Sequence, residues 1–148
     1  MDANVFSKAN ILFDHDSQTQ EEAFHAIAGH VNKLGYADSV DSFFAGLMNR
    51  EKETTTGFKN GIAIPHSNDA SVKRPGLFVI KFDHQIEWNA LDKKPVQVAI
   101  ALSIPQEGSK EHLRLLSKIA RKLMDEDFTK IILENDDPDI LAQAINEI

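Results

Sequence analysis

Apolar residues recur every three to four positions through Phe24, Ile27, Ala28, Val31 and Leu34, which predicts one buried face of an amphipathic helix. The preceding TQEE (19–22) offers a capping box. Thr19 supplies a hydroxyl for exposed amides, Glu22 reaches back from three residues on, and Gly35 ends the helix. A second stripe of Val40, Phe43, Phe44, Leu47 and Met48 predicts another helix, capped by Asp38 or Ser39 and ending at Asn49-Arg50. EKETTTGFKNG (51–61) is polar, β-branched and glycine-punctuated, and reads as a loop with at most a short strand. The pattern then changes. GLFVIKF (76–82) and PVQVAIALSIP (95–105) are continuous β-branched apolar runs bounded by Gly and Pro, as expected of central strands buried on both faces. Between them DHQIEWNALDKK reads as a loop or hairpin with Ile86 or Trp88 packed down.

Helical spacing returns after Pro105. Ser109 is the expected cap of a helix whose buried face is Leu113, Leu116, Ile119, Ala120 and Leu123. DFTKIILEN and DDPDILAQAINEI predict two shorter helices, the second capped by Asp137 with Pro138 in its first position. Helices before, between and after a few apolar strands give an α/β sandwich with helices on both sheet faces. No repeat or linker divides the chain, so one domain over residues 1–148 is expected.

Composition adjusts this picture in three ways. With 148 residues, 42% hydrophobic and 26% charged, the chain has the size and balance of one globular domain. Its formal net charge of −7 weighs against an electrostatic grip on nucleic acid or anionic lipid. The absence of cysteine removes disulfides, thiolate nucleophiles and Cys-ligated zinc. The longest apolar runs fall far short of the roughly 20 residues that a membrane helix needs. The start, MDANVFSKAN, has no apolar leader region, so a mature cytoplasmic protein is the expectation.

Candidate chemistry centres on GIAIPHSN (61–68). Pro65 fixes its own φ and holds Ile64 extended, so His66 is presented at a stiff strand end, where open α/β sheets gather ligands. The same Pro-His also suits an ordinary strand exit with an exposed ring. His112 falls in the first turn of the helix after Ser109, where free amides and the positive dipole end favour a neutral imidazole and attract an anion such as a phosphoryl group. It equally suits a helix-start residue bonded to the cap. Arg50 can offer a planar fork to phosphate oxygens, and Thr54, Thr55 and Thr56 can supply hydroxyls; a dipole-offsetting arginine and a solvated loop are the plain alternative. His15, His25, His30 and His84 are read as solvated or structural. Neither a GxxxxGK[ST] loop, a GxGxxG fingerprint nor HExxH occurs, and the dispersed histidines form no recognisable metal cluster.

Taken together, RE (50–51), the threonine-rich loop, GIAIPH (61–66), WNALDKKPV (88–96) and HLRLLSKIARKL (112–123) resemble the enzyme IIA domain of the bacterial phosphotransferase system (PTS), fructose/mannitol type. The resemblance spans nearly the whole chain. It implies a mixed β-sheet flanked by helices, and a cytoplasmic phosphoryl carrier between the phosphocarrier HPr and a cysteine of enzyme IIB, with neither cofactor nor metal. His66 then matches the phosphorylated histidine, His112 the second active-site histidine and Arg50 an arginine close to both. Ser67 and Thr56 are further candidates for phosphoryl support. Two positions depart from the family pattern: Lys59, two before Gly61, and Ser67, directly after the histidine, stand where small residues are usual.

The chemistry is consistent with that match. A neutral imidazole nitrogen attacks phosphorus, and an unperturbed pKa of about 6.5 leaves it ready near neutral pH. The loose transition state asks mainly for alignment and for donors around the equatorial oxygens. A sugar-transport carrier is the leading expectation. A nitrogen-regulatory relative that acts by phosphorylation-dependent partner binding is the alternative, and a histidine-based metal-dependent hydrolase is a third. An apolar rim around His66 is expected for transient docking; Phe58 is a candidate for it, although burial in the core is the usual fate of a single Phe.

Overall fold

The two long apolar runs become the centre of a six-stranded mixed sheet. The computed structural model describes residues 1–148, the side chain of Ser109 excepted. Strand β5 (Gly76–Ile86) and strand β6 (Val96–Ser103) pair antiparallel, and both are buried over most of their length. Their side chains alternate between two cores. Phe78 and Ile80 of β5 with Ala99 and Ala101 of β6 face one core; Leu77 and Val79 with Val98, Ile100 and Leu102 face the other. Each fully buried Leu, Ile or Phe contributes about 1.5–3 kcal/mol of hydrophobic stabilisation, so a sheet covered on both sides carries most of the fold.

The first core is roofed by α1 (Gln20–Lys33) and α2 (Val40–Glu53), through Phe24, Ile27, Val31, Phe43 and Leu47. Thr19 caps α1 by accepting from the Glu22 amide at 3.1 Å, and the Glu22 carboxylate accepts from the Gln18 amide at 2.8 Å, one residue before the cap. Ser39, rather than Asp38, caps α2. The second core is covered by α3 (Ser109–Lys122), α4 (Glu126–Glu134) and α5 (Pro138–Asn146), and Asp137 caps α5 with Pro138 at its start, as the sequence predicts.

Several elements depart from the pattern-based expectation. Ile11–Asp14 forms an unanticipated edge strand, β1, parallel to β5; four residues with a half-buried centre show too little periodicity to register. Helix α2 continues past Asn49-Arg50 to Glu53, because no Gly or Pro interrupts it before Thr54. The threonine loop leads into a hairpin of β2 (Gly57–Lys59) and β3 (Ile62–Ala63), turned by Asn60 and Gly61, both with positive φ as primed hairpin turns require. On α3, Gly108 in the left-handed conformation is the N-cap residue and Ser109 the first helical one, not the cap; the Ser109 side chain lies outside the described residues. Leu113 does not join the buried face but stands 45% exposed. Lys81, odd-numbered like Leu77 and Val79, lies buried at the end of the second core. Its ammonium group donates to the Ile132 and Leu133 carbonyls, at the negative end of α4.

IAIPHS crosses the open side of β6 as two short pieces, β3 and β4 (His66–Ser67), each parallel to β6. Pro65 separates them because it has no amide to donate. Its carbonyl still accepts from Leu102 at 3.0 Å, and the Ser67 carbonyl accepts from Ile104 at 2.9 Å. The histidine is therefore mounted on the sheet's hydrogen-bond ladder.

Candidate phosphoryl-transfer site

His66 faces a cavity of about 300 Å³ between β4 and α2. Gly46, Asn49, Arg50 and Glu53 line it from α2. These positions are spaced i, i+3, i+4 and i+7, hence one helical face, bordered by the stripe through which Phe43 and Leu47 enter the first core. Ser67, Asn68 and Asp69 line it from the strand end, and Ile104 and Leu113 close it. A groove of about 650 Å³ lies between the start of β6 and α4, lined by Lys94, Gln97, Lys130 and Glu134 among others, but it contains no histidine. Size does not locate the chemistry here.

The imidazole is held at both nitrogens. Nδ1 lies 2.9 Å from the Ile64 carbonyl, an acceptor only, so Nδ1 carries the proton and donates. Nε2 lies 3.1 Å from Arg50 Nε, a donor only, so Nε2 presents its lone pair. The ring is thus fixed as the neutral Nδ1–H tautomer. Burial pushes the His66 pKa below its ordinary value. The Ile64 carbonyl opposes this, Arg50 adds to it, and Glu51 and Glu53 oppose it. Neutrality and an unprotonated Nε2 are what a nitrogen nucleophile needs.

Arg50 is itself held, its Nη1 donating to the Thr54 carbonyl at 2.8 Å. The loop carrying that carbonyl is fixed by Glu51. Its carboxylate accepts from the Thr56 amide at 2.8 Å and from the Thr56 hydroxyl, whose oxygen accepts in turn from the buried Trp88 indole N–H at 3.0 Å. This corrects the expectation for Thr56. Its side chain is buried and spent on Glu51 and Trp88 instead of being turned toward His66. Ser67 does line the cavity, but its hydroxyl donates to Asp69 Oδ1 at 3.2 Å and accepts from the Asp69 amide at 3.3 Å. Lys59 lies half-buried on β2 and is absent from the described cavity lining.

His112 is placed differently. It sits half-buried in the first turn of α3, and its amide donates to the Gly108 carbonyl at 3.2 Å, as the Glu111 amide does at 3.0 Å, so neither is free for an anion. Among the described lining residues α3 contributes Leu113, not His112. The structure therefore brings Arg50, Ser67 and His66 together around the cavity and leaves His112 out of its described lining and out of the Arg50–His66 hydrogen bond. Phe58 packs half-buried against the second core, so Leu113 and Ile104 form the apolar part of the rim. Of the other histidines, His15 pairs with Asp83 at 2.7 Å, which raises its pKa. His25 stacks on Phe44 with ring centroids 3.8 Å apart, His30 donates to the Ala9 carbonyl, and His84 is exposed. Gly46, Asn49, Glu53 and Asp69 are site residues that the sequence patterns do not single out. The helical spacing around Arg50 is the signal that points to the first three.

No group of three or more metal-ligating side chains occurs among the described residues, and no described helix is long and apolar enough to cross a membrane. Comparison with known proteins bears directly on this site. Residues 4–148 match the family model described as "Phosphoenolpyruvate-dependent sugar phosphotransferase system, EIIA 2". The fructose-specific EIIA component of Haloferax volcanii is 29% identical over 93% of this chain and 90% of its own. A nitrogen regulatory protein of Klebsiella oxytoca is 31% identical over 98% of this chain and 90% of its own. The chain spans 22% of a longer relative, the fructose-specific EIIABC component of Bacillus subtilis, at 26% identity. Among solved structures, enzyme IIA of the mannitol system of Escherichia coli, determined in complex with phosphorylated enzyme IIB, superposes with a TM-score of 0.81 at 18% identity, over 97% of this chain and 98% of that one. With a family model matched over almost the whole chain and a fold shared with solved enzymes IIA, the protein belongs to the EIIA type 2 family of the phosphoenolpyruvate-dependent sugar phosphotransferase system.

Proposed function

We propose that this chain is a cytoplasmic phosphoryl carrier that accepts a phosphoryl group from phospho-HPr on Nε2 of His66 and passes it to a cysteine of an enzyme IIB, serving uptake of a fructose- or mannitol-class sugar. The observation that carries this reading is the two-sided clamp on the imidazole, with Nδ1–H on the Ile64 carbonyl and the Nε2 lone pair under Arg50. The lone pair attacks phosphorus in line, and the electron pair of the breaking P–N bond returns to the donor imidazole. Nδ1 keeps its proton, and the Ile64 carbonyl offsets the positive charge that develops on the ring. As phosphorus takes its place at Nε2, Arg50 Nε is released to donate to the equatorial oxygens. Ser67 can exchange Asp69 for a phosphoryl oxygen. His112 approaches from α3 in the phosphorylated or partner-bound state and favours onward transfer. The IIB partner is further supported by the complex solved for the mannitol enzyme IIA.

The deciding experiment is incubation with enzyme I, HPr and labelled phosphoenolpyruvate, with intact mass and acid lability read for wild type and His66→Ala. An acid-labile adduct on wild type alone is expected; labelling of His66→Ala at the wild-type level overturns the assignment. The 31% identity to a nitrogen regulatory protein over 98% of the chain favours a second reading, in which phosphorylation of His66 switches partner binding. A carrier passes its phosphoryl group rapidly to a IIB protein of the fructose or mannitol class, whereas a regulator retains it with every IIB offered.

A further inference from the structure

Helix α2 approaches β4 more closely than any side chain at position 46 permits. A Cβ built on Gly46 would lie 2.0 Å from Ser67 Oγ, 3.1 Å from Ser67 Cβ and 3.2 Å from Asp69 Cβ. Ser67 is 2% exposed, and its hydroxyl is occupied in both directions by Asp69. Its backbone is tied to the sheet through the Ile104 amide at 2.9 Å. Rotation of Ser67 would relieve the closest overlap but would break the Asp69 bonds and leave Cβ in place. The serine thus acts as a peg in a notch that only glycine leaves open. Arg50 follows Gly46 by four residues, so it lies one helical turn along the same face. His66 precedes Ser67 on the strand. Peg and notch are therefore adjacent to the two ends of the 3.1 Å contact from Arg50 Nε to His66 Nε2.

We propose that Gly46 and Ser67 are a coupled pair of positioning residues that set the spacing between Arg50 and His66. A methyl group at position 46 pushes α2 from β4 or dislodges Ser67, and either moves the guanidinium off the imidazole. A misplacement of about 1 Å costs a transfer reaction up to about a hundredfold. The kinetic consequence rests on the carrier reading above; the geometric one does not. The pair is self-compensating, because removal of the peg takes away the 2.0 and 3.1 Å contacts and leaves Asp69 Cβ, at 3.2 Å and no longer bonded to Ser67, to give by a few tenths of an ångström.

The test is a double-mutant cycle of wild type, Gly46→Ala, Ser67→Gly and the double variant, read by NMR titration of the His66 ring nitrogens and by the rate of phosphoryl acceptance from phospho-HPr. With Ser67 in place, Gly46→Ala is expected to raise the His66 titration midpoint toward the ordinary value and to slow acceptance by about tenfold or more. In the Ser67→Gly background the same substitution is expected to change the rate by less than about twofold and to leave the midpoint where Ser67→Gly alone puts it. Equal effects of Gly46→Ala in both backgrounds, or none with Ser67 in place, overturn the proposal. Should Gly46→Ala fail to fold, a folded double variant with the midpoint of Ser67→Gly supports the pair and an unfolded one overturns it. A wild type that accepts no phosphoryl group removes the carrier reading, while the titration cycle still decides the pair.

Discussion

His66 and His112 belong to elements that flank the same cavity, and they are held by different means. His66 is fixed from below by a strand ladder, at Nδ1 by a carbonyl and at Nε2 by an arginine that is itself tied to the next loop. His112 stands on the opening turn of a helix entered through a left-handed glycine, beside the exposed Leu113, and makes no hydrogen bond to the His66 group among the described residues. On the carrier function proposed above, the contrast assigns the nucleophile, used in both acceptance and donation, to the histidine that the fold already clamps, and the onward step to the histidine that it leaves outside the clamp.

The largest blow to this comparison is aimed at the clamp. Arg50→Ala should slow phosphoryl acceptance by about a hundredfold, as loss of a preorganised donor to a developing oxyanion does. Arg50→Lys should recover only part of the rate, since a compact ammonium lacks the planar fork. Stopped mixing with labelled phospho-HPr measures both, and an Arg50→Ala variant within twofold of wild type would show the backbone frame to be sufficient alone. Next comes the support behind the arginine. Thr56→Val strands a Glu51 carboxylate oxygen and the Trp88 N–H, and should cost about 2–3 kcal/mol in a denaturant titration. An unchanged midpoint would make the network dispensable.

His112→Ala probes the other side. Acceptance should persist near the wild-type rate while transfer to enzyme IIB slows by about tenfold, about 1.4 kcal/mol of transition-state stabilisation. Unchanged onward transfer reduces His112 to a residue of the α3 surface. The smallest effect is in pH. Only the neutral ring attacks, and burial, aided by Arg50, keeps the His66 pKa below its ordinary value. The acceptance rate should therefore stay level as pH falls through about 6.5, the ordinary imidazole value, and decline only below it. A decline centred at or above that value would contradict the buried, clamped geometry.

How much of this is legible in the sequence differs element by element. The stripe of α2, the caps Thr19 and Asp137 and the two central strands are written in periodicity and in single residues with strong local preferences, so they can be read directly. The strand β1 cannot be, because its pairing with β5 is made by residues far along the chain, such as Ile11 with Val79, and four residues carry almost no period. The histidine at position 66 stands out because a proline stiffens the chain before it. Thr56 misleads, because a hydroxyl in a polar loop gives no sign of the Glu51 and Trp88 groups that occupy it.

By itself the sequence determined what depends on near neighbours: helical faces, caps, the stiff mount of His66 and, through its motif spacing, the family to which the chain belongs. The tertiary structure decided what depends on close approach between elements distant in the chain. It set the tautomer of His66, turned Thr56 away from the site, left His112 outside the clamp and made Gly46 obligatory beside Ser67. Local preferences act through a few covalent bonds and leave a trace in residue order, whereas a contact of about 3 Å between α2 and β4 depends on how two whole elements pack, which no single stretch of sequence records.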